Sequence, residues 1–113
     1  MNPHFTKLEE LEKTIQSSKL SRVFSRPTKY LKGHFYKQLS RINKKGYLVE
    51  TETFFNSKMN LLLPSGLDIY LFGAKTHSSE LRLAKFLIKH LNSESTFIDV
   101  GAHFGYFSLL AHK

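Results

Sequence analysis

Asp99, Gly101 and Gly105 fall within one short string, TFIDVGAHFGYFSLLAHK, at residues 96–113. An apolar run meets an acid, then two glycines four apart, then a second apolar run. A strand that turns directly into a helix leaves backbone N–H groups unpaired at the helix start. Those groups attract the anionic part of a ligand. Glycine at the strand end permits a sharp turn and lets a ligand lie against the backbone. A carboxylate at the carboxyl end of a strand points to where ligands bind in open α/β sheets, and it can accept hydrogen bonds from an ammonium group or from water. The same residues also fit an ordinary strand–turn–helix corner with Asp99 as a local cap.

The spacing narrows the ligand. Asp99-x-Gly101-x-x-x-Gly105 lacks the third glycine of G-x-G-x-x-G, which argues against a dinucleotide pyrophosphate. It also lacks the lysine of a P-loop. A ligand carrying one carboxylate and one amine suits this smaller site better than a phosphate does. His103 in the loop reads as an exposed histidine or a minor backbone contact, and Tyr106 and Phe107 as core or pocket wall. The histidines show no metal-ligand spacing, and cysteine is absent, so thiolate ligands, a cysteine nucleophile and disulfides are excluded.

The elements that would position this string follow from periodicity. Residues 3–18 read as a helix, with Pro3 in its first turn, Thr6 and Glu9 at capping-box spacing, and Leu8, Leu11 and Ile15 as an apolar stripe. Residues 27–44 read as a second helix, in which Leu31, Phe35, Leu39 and Ile42 repeat at helical spacing and are expected to pack on the core. Gly46 is a good helix stop. Residues 47–55 alternate as a strand. Residues 59–73 read as a hairpin turning at Pro64-Ser65-Gly66, with Leu67, Ile69 and Leu71 alternating in its second strand. A third helix is expected over 79–90, capped by Ser78 or Ser79, with Glu80 in its first turn and Ala84, Leu87, Ile88 and Leu91 as its stripe. Residues 96–100 read as a short strand, apolar enough to be a buried parallel one.

Charge divides the chain. Residues 1–46 hold eleven Lys and Arg against three Glu, which accounts for the whole net charge of +8; residues 47–113 hold six against six. The expected organisation is a basic helical segment over 1–46, followed by a hairpin, a helix and a strand–loop–helix unit over 47–113. The basic segment is read as a solvated helical arm. Residues 19–45 are a weak candidate for an anionic membrane surface or a lipid-linked glycan, as a basic amphipathic helix can lie there. Nucleic acid ranks last, because only interleaved Tyr30, Phe35 and Tyr36 speak for it and no known motif does. No signal-peptide pattern is visible, and the longest aliphatic run, Leu61 to Leu63, is far too short to span a membrane. A cytoplasmic location is the expectation.

The string FIDVGAHFGYFSLLA resembles the first motif of class I S-adenosylmethionine-dependent methyltransferases. It is more narrowly similar to the FkbM-type family, whose motif reads D-V/I-G-A-N-x-G-Y-Y/F-S, and the preceding GLDIYLFG and helix with an early glutamate resemble that family's order of elements. The resemblance covers residues 59–113, and His103 stands where the family has asparagine. It implies an α/β, Rossmann-like sheet whose first strand is 96–100. It also implies S-adenosylmethionine as cofactor, with its methionine part over Asp99, Gly101, Ala102, His103, Gly105 and Tyr106, and methyl transfer to an oxygen of an unidentified small-molecule or glycan acceptor. No catalytic base can be named from these residues. In such folds the acid that holds the ribose lies roughly twenty residues beyond the glycine loop. The chain is therefore expected to be the first part of such a domain, with an incomplete sheet and no catalysis by itself.

Overall fold

A computed structural model describes residues 2–113. The elements run α1 (Pro3–Gln16), α2 (Lys19–Ser25), α3 (Pro27–Asn43), β1 (Tyr47–Glu52), β2 (Lys58–Leu63), α4 (Leu67–Phe72), α5 (Ser78–His90) and α6 (Tyr106–His112). The fold is a mixed, mainly helical one around a two-stranded antiparallel sheet.

Helix α1 begins where Pro3 fixes φ and the Asn2 side chain accepts from the His4 N–H at 2.9 Å. Asn2 is thus the cap, four residues before the Thr6 at which capping-box spacing begins. Leu8 is fully buried, with Leu11 and Ile15 packed beside it, as the stripe predicted. This face lies on α5, where Lys85 also pairs with Glu12. Helix α2, which the sequence pattern did not suggest, starts at Ser18, whose hydroxyl accepts from the Ser21 N–H.

The hairpin differs from the expected one. β1 pairs with β2 in the register Tyr47↔Leu63 to Glu52↔Lys58, so the turn is the loop 53–57 and not Pro64–Gly66. Thr53 closes that loop: its N–H donates to the Ser57 carbonyl at 2.8 Å, and its hydroxyl oxygen accepts from the Ser57 N–H at 3.1 Å. Met59, Leu61 and Leu63 face the core, while Leu48 and Leu62 face outward.

Residues 67–72 are a helix, not the second strand of a hairpin. The alternation of Leu67, Ile69 and Leu71 is not decisive, because Tyr70 and Phe72 are apolar too. All four residues from Ile69 to Phe72 are buried, which a two-sided strand at this edge would not achieve. The local signals were a glycine at each end and an acid in the first turn. Asp68 accepts from the Ile69 N–H at 2.9 Å and from the Thr76 N–H at 3.3 Å, and Gly73 ends the helix with φ of 71°.

Helix α3 packs on α4 and β2 through Tyr30, Gly33 and Tyr36. A Cβ at Gly33 would stand 2.9 Å from Leu67 Cδ1, so the glycine sets the close approach of these helices. The expected core stripe of α3 is overturned: Leu31, Phe35 and Ile42 lie on the solvent side, and Leu39 is only half-buried. The α5 stripe is as expected, with Leu81, Ala84 and Leu87 buried and Ile88 and Leu91 beside them, although its cap is the His77 ring and not Ser78 or Ser79. Residues 96–100 carry no ladder and are not a strand here, since no neighbouring strand is present among the described residues to supply hydrogen bonds.

Candidate functional site

Residues 96–108 form an extended segment, a loop and the start of α6. Phe97 packs against the core, whereas Ile98 and Val100 are 80% and 92% exposed. Asp99 is half-buried and turned toward α6, where the Ser108 hydroxyl donates to its Oδ2 at 2.8 Å. That bond ties the carboxyl end of the extended segment to the helix across the loop. Only Oδ2 of the two carboxylate oxygens is so engaged, leaving Oδ1 for a further donor.

The loop backbone is left-handed at three alternate positions. φ is 72° at Gly101, 54° at His103 and 82° at Gly105. Glycine reaches this region without strain and histidine does so only at a cost. Turns that include left-handed residues can gather backbone N–H groups into anion-binding concavities. A tight turn closes the loop, with the Gly105 N–H donating to the Ala102 carbonyl at 2.8 Å. Nothing stands within 4 Å of where a Cβ would be at Gly101 or Gly105, so these glycines are held by conformation and not by packing, and the space above them is open.

Gly101, Ala102 and His103 are exposed, and the His103 ring lies 3.9 Å, centroid to centroid, from Phe104. Tyr106 is turned the other way. Its ring is buried against Phe55 at 5.6 Å and Phe107 at 5.0 Å, and its hydroxyl makes no hydrogen bond of good geometry. Burial pushes its pKa far up, the Lys75 backbone opposes that in part, and the carboxylates of Asp68 and Glu80 add smaller pushes upward. Tyr106 is therefore a neutral phenol that anchors the loop to the core. Beside it, Lys75 pairs with Glu80 at 3.3 Å and sits over the Phe107 ring.

The structure thus brings Asp99, Gly101, Ala102, His103 and Gly105 into one exposed corner and puts the Tyr106 side chain behind it. A cavity of about 240 Å³ opens beside Asp99, lined by Phe97, Asp99, Ser108, Ala111 and His112 and not by residues 101–105. Ser108 is the residue that sequence reasoning left without a role. Its signal was its place in the string, nine residues after Asp99, where a helix following a tight loop returns to the strand end. Among the described residues, no three His, Asp or Glu side chains gather as a metal site requires, and no helix is long and apolar enough to cross a membrane.

No family model, curated protein or solved structure matches this chain.

Proposed function

We propose that residues 96–108 are the methionine-end subsite of an FkbM-like, S-adenosylmethionine-dependent O-methyltransferase. The observation that carries this reading is the open, left-handed Gly101–Gly105 loop with the Asp99 carboxylate at its entrance. The residues fit the group. Oδ1 of Asp99 is available to an ammonium, and the loop offers backbone donors and room where two side chains would otherwise stand. Ser108 fixes the Asp99 carboxylate in its orientation. When bound, the cofactor would supply an electrophilic methyl group. This chain's part is to bind and orient its amino-acid end, and the residue that would deprotonate the acceptor is not assigned.

In this reading the extended segment 96–100 is the first strand of a Rossmann-like parallel sheet. Its exposed Ile98 and Val100 and its unpaired backbone support that, because they form the face and edge that further elements of such a sheet would cover. The test is a nitrogen-15 NMR titration of the chain with S-adenosylmethionine. Shifts centred on residues 99–105, and lost in Gly101→Val and Asp99→Ala, are expected. Absence of shifts at millimolar ligand, or equal shifts in Gly101→Val, would leave the segment as a plain structural corner.

A further inference from the structure

We infer that the outer face of α3 docks onto an anionic lipid bilayer. The core-facing side of this helix is fixed by Gly33 against Leu67, by Tyr30 edge-on to Phe72 at 6.0 Å, and by Tyr36 against Tyr47 at 5.5 Å. Leu31, Phe35 and Ile42 are 75%, 60% and 77% exposed. At about 100° per residue these three fall within about 40° of one another, diametrically opposite Gly33. Lys32 borders the stripe on one side and Arg41 on the other, each about 80–100° from its centre. This is the pattern of a helix lying in a membrane interface, apolar below and cationic at both flanks, with long basic side chains reaching to headgroups. In α2, which precedes it, Leu20 and Phe24 are exposed as well.

Charge selects the occupant. Between Glu12 and Glu50 the chain has ten Lys and Arg and no acid. Two of the ten turn inward, Arg26 to the Leu71 carbonyl and Lys29 to the Tyr70 carbonyl and the Thr51 hydroxyl. The remainder leave a surface of one sign. A second copy of the chain would bring like charges together, which opposes self-association through this face. Nucleic acid would use aromatic rings for stacking, but Tyr30 and Tyr36 are spent on the core, and Phe24 and Phe35 are presented singly on different helices. Aliphatic residues between cations match the acyl boundary beneath anionic headgroups.

Flotation with vesicles tests this, using phosphatidylcholine alone and phosphatidylcholine with about a third phosphatidylglycerol; anionic vesicles should bind about tenfold more protein or better. Binding should fall in Leu31→Ser with Ile42→Ser, and also in Lys32→Glu with Arg41→Glu. Both pairs are exposed, so circular dichroism should be unchanged. The chain has no tryptophan, so Phe35→Trp provides a single reporter, and its emission should shift to the blue on anionic vesicles. Four results would overturn the proposal: no anionic-vesicle binding; binding that ignores Leu31 and Ile42; indole emission of the Phe35→Trp variant unchanged by vesicles; or a concentration-dependent dimer that buries the stripe in place of vesicle binding. The outcome is independent of the methyl-donor reading, since none of these residues belongs to the 96–108 segment.

Discussion

Tyr106 shows how a residue in a ligand-like string can serve the scaffold. Its ring fills space between Phe55 and Phe107, while its hydroxyl is buried without a good hydrogen bond. A buried polar group left unsatisfied is a cost that an apolar replacement removes. Tyr106→Phe should therefore be neutral or stabilising. Tyr106→Ala should lose about 3–5 kcal/mol, because the cavity it leaves is large. Urea unfolding of both variants checks this; a clear loss in Tyr106→Phe would mean that the hydroxyl has a partner in solution. The string itself marked a tight corner at Asp99, Gly101 and Gly105, because glycines four apart after an apolar run signal a turn, and the left-handed φ values at both glycines are there. It did not reveal which way Tyr106 faces, since an aromatic next to a glycine loop fits a pocket wall and a core equally well.

At the scale of elements, α4 depends on how it stops. Gly73 is left-handed, and its carbonyl accepts from the Phe54 N–H at 2.9 Å, joining the helix end to the hairpin loop. A Cβ there would stand 3.0 Å from the Phe54 nitrogen and 3.2 Å from the Glu52 oxygen, both backbone atoms that cannot move aside cheaply. Gly73→Ala should cost about 1–3 kcal/mol from strained φ and crowding together. Thermal unfolding reads it, and an unchanged midpoint would contradict the geometry. The caps of α4 were visible as Gly66, Asp68 and Gly73, yet the alternating leucines and isoleucine read more strongly as a strand. Period-two and period-3.6 patterns separate only when polar residues interrupt them, and Asp68 is the single interruption.

Across the whole molecule, α1 binds the N-terminal end to α5, and its first turn carries a titratable group with long-range consequences. His4 Nδ1 is buried without a partner, and its pKa lies below the ordinary histidine range, first through desolvation and then through Lys7 and Lys113. The unfolded chain therefore takes up this proton before the folded one does. The stability that His4 contributes is full above pH of about 6.5 and declines as pH falls from there toward the lowered folded value. His4→Gln should reduce the acid-side loss of stability relative to the parent. Urea midpoints measured at neutral and mildly acid pH in both proteins decide it; parallel pH profiles would show that His4 is not a contributor.

The sequence by itself determined the positions of α1, α3, α5 and α6, the break in charge after residue 46, and the acid–glycine corner at 99–105. Helix periodicity, proline and glycine punctuation and charge counts are local properties, and local properties survive without knowledge of neighbours. Only the tertiary structure decided which face of α3 turns inward. Its leucine, phenylalanine and isoleucine stripe is the more hydrophobic face, yet Gly33 is the position that lets α3 approach Leu67 and Leu71, and Tyr30 and Tyr36 flank that contact. Close backbone approach won over side-chain hydrophobicity and left the apolar stripe outside. The same holds for residues 96–100: an apolar run reads as a strand, but a strand exists only where a neighbour pairs with it.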